Sequence, residues 1–257
     1  MTSRPLNPRH GRDRSYGRAD EDGEEGPGWL WGLHAAQAAL ANPARRIERI
    51  VATRNAAHRL GRDIPGLQIL DPDAIDGMLP PGAVHQGLAV RALPLPPLEL
   101  HEACAAPDGR PVLMLDGVTD PQNVGAAFRA AAAFGARAVV LQDRKSPPFT
   151  GALAKAAAGA VDIVPHVRVT NLARALEELA ALGYQTIGLE GESEAALGEA
   201  IGSRACVFVA GAEGKGLRPS VAAACERLAH IPIAPAMESL NVAVAAAIAL
   251  YEARRRL

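Results

Sequence analysis

Three clusters of polar and glycine residues stand where a chain can most easily build a reactive site. The first runs Asp120-Pro121-Gln122-Asn123-Val124-Gly125 and continues to Arg129. Asn123 offers an amide and Arg129, nearly two helical turns on, a guanidinium; both reach one crevice only if Asn123 lies in the entry turn of the helix. Asp120-Pro121 is equally a good helix start, with Asp as cap and Pro in the first turn. The second cluster is Gly211-Ala212-Glu213-Gly214-Lys215-Gly216-Leu217. Its glycines let backbone approach a ligand closely and leave amides open to a nucleotide-like group. It is neither of the usual phosphate loops, because Lys215 sits inside the glycine cluster and not at its end. The third is Ile231-Pro232-Ile233, then Met237-Glu238-Ser239-Leu240-Asn241-Val242 before an apolar helix. Ser239 and Asn241 either cap that helix or orient a hydroxyl at its mouth. No histidine joins Ser239 in such a motif, so a Ser-His-Asp hydrolase is not indicated.

The first two clusters follow apolar runs and the third precedes an apolar helix, and these are the elements that must position them. Val112–Leu115, Ala138–Leu141, Thr186–Leu189 and Cys206–Ala210 read as strands alternating with Ala-rich helical stretches, the last helix running from Asn241 to Arg256. Such alternation predicts an α/β fold with a parallel sheet covered on both faces, whose ligands sit beyond the C-terminal strand ends. Upstream, a helix pattern runs from Trp29 through Leu33 and Leu40 to Asn42-Pro43, followed by strands at Ile47–Ala52, Leu67–Leu70 and Leu88–Val90. Pro94-Leu95-Pro96-Pro97 is too proline-rich for helix and predicts an extended linker. The organisation is thus a charged tail over 1–27, a small α/β unit over 28–93, a linker over 94–103 and a larger α/β domain over 104–257.

Composition narrows the function classes. Of 257 residues, 49% are hydrophobic and 21% charged, as in a folded globular protein, while aromatics reach only 4%, too few for multiple base-stacking platforms. The net charge of −1 gives no bulk positive field, so any RNA-binding surface is a local patch. The tail carries five arginines and six acids and has little to bury, which predicts a disordered segment. Cys104, Cys206 and Cys225 form no C-x-x-C pair and read as buried thiols of a cytoplasmic protein. No apolar run spans a bilayer, so no membrane partner is expected, and no metal-ligand spacing is present. A nicotinamide-dependent enzyme is the rival class, and it lacks G-x-G-x-x-G.

Taken in order, the three clusters resemble the SpoU family of knotted AdoMet-dependent RNA 2′-O-ribose methyltransferases. Asp120 through Arg129 resembles D-P-x-N-x-G-x-x-x-R, Gly211 through Gly216 resembles G-x-E-G-x-G, and Ser239 to Val242 resembles the S-L-N-V segment. Gly32 through Leu40 and His85-Gln86-Gly87 are similar to the small L30e-like RNA-binding domain that precedes the catalytic domain in this family. Arg168 through Arg174 is similar to the rRNA guanosine branch, in preference to the tRNA-modifying branch.

The resemblance implies a C-terminal trefoil knot, a homodimer, S-adenosyl-L-methionine as methyl donor without a metal, and a guanosine of 23S rRNA as acceptor, with no DNA partner. It implies that backbone at Gly211, Ile231 and Leu240 holds the donor, and that Asn123, Arg129, Glu213, Ser239 and Asn241 form the catalytic site. Arg129 takes the 2′-OH in that scheme, either as general base or as a phosphate anchor that polarises the hydroxyl; guanidinium groups hold their proton near neutrality, which favours the anchor. Glu213 would hold Arg129 or Asn123 through a charge-assisted bond. The sequence departs from the family at Ala234-Pro235-Ala236, where a glycine is usual, and at Ala243, where serine is common. An RNA-binding assembly protein that has lost catalysis is the non-enzymatic alternative, and the intact polar set argues against it.

Overall fold

A computed structural model describes residues 27–61 and 64–256. The predicted charged tail over 1–27 lies outside the described residues except for Pro27. In chain order the elements are β1 (Gly28–Trp31), α1 (Leu33–Ala41), β2 (Ile47–Ala52), α2 (Arg54–Leu60), β3 (Leu67–Ile69), α3 (Pro72–Asp76) and β4 (Leu88–Ala92). Then follow α4 (Leu100–Cys104), β5 (Val112–Asp116), α5 (Pro121–Ala133), β6 (Ala138–Gln142), α6 (Gly151–Ala156), β7 (His166–Val169), α7 (Leu172–Ala181) and β8 (Gln185–Leu189). The chain closes with α8 (Leu197–Ala200), β9 (Cys206–Gly211), α9 (Pro219–Ala223), β10 (Arg227–Ala229) and α10 (Val242–Arg254).

The first four strands form a mixed sheet in the order β1-β4-β2-β3. Here one sequence expectation is corrected: Trp29 to Trp31 is a strand, not the start of the first helix. Gly32 takes φ 92, closed to other residues, and separates the two elements. Trp31 and Leu30 are buried against opposite sides of the sheet, which a strand allows and a single helix face does not.

The other six strands form one parallel sheet in the order β10-β8-β9-β5-β6-β7. Its central strands are buried on both sides, and the period of two assigns each side chain its face. Leu113 and Leu115 of β5 join α5, α6 and α10 in one core; Val112 and Met114 join α4, α7 and α9 in the other. The apolar pattern does not announce two further strands, β7 and β10, which are the sheet's edges and carry His166, Arg168 and Arg227 among few apolar residues. The segment expected to be linker also gains structure: Leu100 and Cys104 are buried, so an apolar pair four residues apart folds α4 onto the second core.

The two sheets are joined through a buried contact. Arg45 Nε lies 2.8 Å from Asp162 Oδ1 with side-chain exposures of 6% and 1%, and Asn42 Nδ2 donates to the same oxygen at 3.2 Å. Arg45 also donates to the Leu93 carbonyl at 3.0 Å, so its guanidinium is satisfied on both sides of the junction. Nearby, Gly151 at the start of α6 lies so close to Trp31 that a Cβ there would fall 2.0 Å from the indole ring.

Candidate active site

The first two sequence clusters leave the sheet from neighbouring residues. Asp116, the last residue of β5, is the register partner of Gly211, the last of β9. Their loops therefore face each other at the C-terminal edge, where parallel sheets bind ligands. Asp120 caps α5 by accepting from Gln122 N at 3.0 Å, and Pro121 opens its first turn. Asn123 thus lies in the entry turn, as the spacing required.

The loop after β9 folds back on itself. Gly214 and Gly216 take φ 72 and 60, and Ala212 and Gly216 form an isolated bridge. A Cβ on Gly211 would stand 2.3 Å from the Gly216 backbone, so only glycine lets these strands of loop close. Glu213 sits at the tip and its carboxylate is the hub of the site. Its Oε1 accepts from Asn123 Nδ2 at 3.2 Å, from Asn241 Nδ2, and from Val242 N at 3.4 Å. Asn241 Nδ2 also donates to Asn123 Oδ1 at 2.9 Å. Meanwhile Asn241 Oδ1 accepts from Ala243 N at 2.9 Å, so the residue both caps α10 and enters the polar network. Three clusters far apart in the sequence meet on one carboxylate oxygen.

Arg129 stands elsewhere. Of the two partners open to Glu213 from sequence, the structure selects Asn123. Among the described residues Arg129 is exposed and makes no hydrogen bond or ion pair. Six residues from Asn123, it lies about 9 Å along the helix and about 120° around it. One turn before it lies Ala126, which with Ala130, Phe134, Val244 and Tyr251 lines an apolar groove between α5 and α10, so Arg129 stands at the groove's border. Ser239 is exposed and outside the network, Leu240 and Ile231 are half-buried on the approach to α10 and after β10, and Gly211 is half-buried at its strand end. Pro235 forms a turn in which Met237 N donates to Ala234 O at 3.0 Å.

Sequence reasoning missed a second clamp on the glycine loop. Asp116 is buried, and its carboxylate accepts from Arg218 Nε at 2.6 Å and Arg218 N at 2.9 Å. This ties the far end of the loop back to β5. The signal was present as an acid ending an otherwise apolar buried strand. Burial, with a smaller contribution from the Asp116 charge, pushes the Cys225 thiol up to about 12, which leaves that sulfur protonated and a poor nucleophile.

Comparison with known proteins bears on the same residues. The model of the SpoU rRNA Methylase family matches residues 110–251, a span that contains every residue of the site. A 23S rRNA (guanosine-2'-O-)-methyltransferase RlmB of Pseudomonas putida is 36% identical over 243 residues, covering 88% of this chain and 96% of its own. The protein of the same name from Vibrio cholerae is 38% identical over 241 residues, with coverages of 88% and 96%. Among solved structures, an AdoMet-bound rRNA methyltransferase from Sinorhizobium meliloti aligns with TM-score 0.74 and 26% identity, over 90% of this chain and 88% of that one. The SpoU methyltransferase AviRb of Streptomyces viridochromogenes shares the fold with TM-score 0.76 at 20% identity, over 90% of each chain. With the family's span laid over the strand ends that bring Asn123, Glu213 and Asn241 together, this chain belongs to the SpoU rRNA methylase family.

Proposed function

We propose that this protein transfers the methyl group of S-adenosyl-L-methionine to the ribose 2′-OH of a guanosine in 23S rRNA. The observation that carries the reading is the convergence of Asn123, Asn241 and Glu213 at the paired ends of β5 and β9. The donor supplies an electrophilic methyl on a sulfonium. Backbone at Gly211, Ile231 and Leu240 would hold it, and the loop suits that role, since the close approach at Gly211 admits no Cβ and Glu213 bonds the loop to Val242 beside Leu240. Displacement requires the acceptor oxygen to be held in line and its proton shared. Arg129, as an exposed guanidinium, binds the phosphate next to the target ribose and polarises its hydroxyl. Asn123 and Asn241, fixed by Glu213, and Ser239 supply short polar groups around the reacting oxygen.

Arg129 performs this role in a homodimer. Its helix face borders the apolar groove in which Val244 is 47% and Tyr251 52% exposed, a surface that a second copy would cover. Arg129 then reaches the donor held by the partner subunit. We read residues 28–93 as the L30e-like RNA-binding domain, 94–103 as its connection, and 104–257 as the methyltransferase domain with a trefoil knot. For the knot the reading rests on the family resemblance; after β10, His230 bonds back to Ala195 and Leu197 and the chain returns to α10, packed on α5 and β9, a path compatible with it. No described helix is long and apolar enough to cross a membrane, and the proposed substrate places the enzyme in the cytoplasm.

The test is mass-spectrometric mapping of ribose methyls in RNA from cells with and without this gene. Loss of one 2′-O-methylguanosine from 23S rRNA is the expected result. A change confined to tRNA would overturn the substrate, and unchanged ribose methylation the activity.

A further inference from the structure

Against the four-stranded sheet, with none of the methyl-transfer residues in its lining, a cleft of about 540 Å³ opens between α2, α3 and the loop before β4. That loop is held in a costly shape. Gln86 takes φ 55 and Gly87 φ 84, a left-handed conformation that a side-chain-bearing residue adopts only when its surroundings enforce it. A Cβ on Gly87 would meet Thr53 Oγ1 at 2.4 Å. Four bonds enforce the shape: Gly87 N to His85 Nδ1 at 3.0 Å, Thr53 N to Gly87 O at 2.8 Å, Leu33 N to Gln86 Oε1 at 3.0 Å, and Lys155 Nζ to Val84 O at 2.7 Å. The last crosses from α6 of the larger domain.

The consequence is a preformed open cleft that carries charged and amide side chains on its walls. Because His85 Nδ1 accepts from Gly87, its Nε2–H faces Asp76 Oδ1 at 3.2 Å and orients that carboxylate. The Asp76 side chain remains 59% exposed and lines the cleft. Asn55 and Arg59, both exposed on α2, line the same cleft, with Arg59 donating to Gln86 O at 3.3 Å. Val84, 61% exposed, forms an apolar lip.

We propose that this cleft binds an unpaired guanine nucleotide of the RNA substrate, distinct from the nucleotide that is methylated. The inference rests on the RNA-methyltransferase reading and adds a second recognition point to it. An ionised carboxylate only accepts hydrogen bonds, and guanine places two adjacent N–H donors on its Watson–Crick edge, which is free only outside a duplex. Asn55 complements the acceptor edge of the same base. Arg59 takes the phosphate or stacks on the ring, as expected where aromatic platforms are scarce. A site for phosphate alone would not line the same cleft with the Asp76 carboxylate as well as a cation.

The test uses the full chain and an rRNA fragment containing the target, with RNA affinity, KM for RNA and AdoMet affinity read in parallel. Arg59→Ala and Asp76→Asn are each expected to weaken RNA binding about tenfold or more, since each removes a charge-assisted bond. The loss falls in the KM for RNA, with AdoMet affinity as in the unaltered protein. Inosine at unpaired guanosines, which lacks the 2-amino donor, should reproduce the Asp76→Asn loss at one position and add little to it. RNA affinity unchanged in both variants overturns the cleft as a binding site. Loss in Arg59→Ala alone, insensitive to inosine, overturns the guanine and leaves a phosphate contact. The binding arm reads the cleft even if no methyl transfer is detected, so that outcome strikes the proposed activity separately.

Discussion

Replacing Glu213 by Gln removes a charge while keeping the shape of the hub, and its effect follows from the bonds counted on one oxygen. Oε1 accepts from Asn123, Asn241 and Val242, the last at a weak 3.4 Å, so two strong bonds depend on the carboxylate charge. A bond to a charged acceptor contributes roughly 1.5–3 kcal/mol and a neutral one roughly 0.5–1.5, a difference of about 1 kcal/mol each. Glu213 is exposed, and solvent screens part of that difference. The expected loss of positioning is therefore about 1.5 kcal/mol, or about tenfold in kcat. Global stability should barely change, because water replaces the lost acceptor; a fall of less than about 3 °C in Tm is expected. Transfer of labelled methyl to an rRNA fragment at saturating donor, alongside a thermal melt, measures both. A kcat within twofold of the unaltered enzyme would refute the claim that this carboxylate organises the site. A large fall in Tm would show instead that the hub serves folding.

Arg129→Ala and Arg129→Lys should fold normally, since the side chain is exposed and unbonded among the described residues, yet lose about a hundredfold or more in methyl transfer; circular dichroism and the labelled-methyl assay check the two halves. Gly211→Ala forces a Cβ to within 2.3 Å of the Gly216 backbone and should abolish AdoMet binding by calorimetry while leaving RNA binding in place. His166 is held down to about 4 by burial and by the charges of Arg45 and Arg168. The unfolded chain therefore binds a proton that the folded one refuses between about 6.5 and 4, so stability is full above that window and falls by up to about 3 kcal/mol as pH drops through it. Urea unfolding from pH 7 to 4.5 should show this slope, and His166→Leu should flatten it.

What the sequence disclosed followed from how strongly each element was over-determined. The buried central strands β5 and β9 are apolar over Val112–Leu115 and Cys206–Ala210, and those runs could be read directly. The edge strands β7 and β10 are partly solvated, so their residues carry no such run. Trp29 to Trp31 fits a helical period as well as a strand, and the φ of 92 at Gly32 is what separates the two. At the site, Asn123, Glu213 and Asn241 were legible as motif residues, but which atom joins them depends on the register of β5 against β9, a contact between distant segments. For the Asp116–Arg218 clamp the acid ending β5 was visible, but its partner, 102 residues on, was not. The separation of Arg129 from the network is a matter of helical phase, implicit in a spacing of six and easily passed over.

The buried junction of Arg45, Asn42 and Asp162, with Trp31 seated against Gly151, has a consequence for timing in the cell. Two modules on a loose tether raise each other's local concentration and tolerate many separations between their targets. A junction without slack acts as a caliper, with one jaw at the cleft under Gln86 and the other at Glu213. With both jaws binding RNA as proposed, such a tool grips only an RNA already folded to the matching gap. On the proposed reading, methylation would then mark a stage of ribosome maturation: too early, the gap has not formed, and too late, neighbouring components have closed over it.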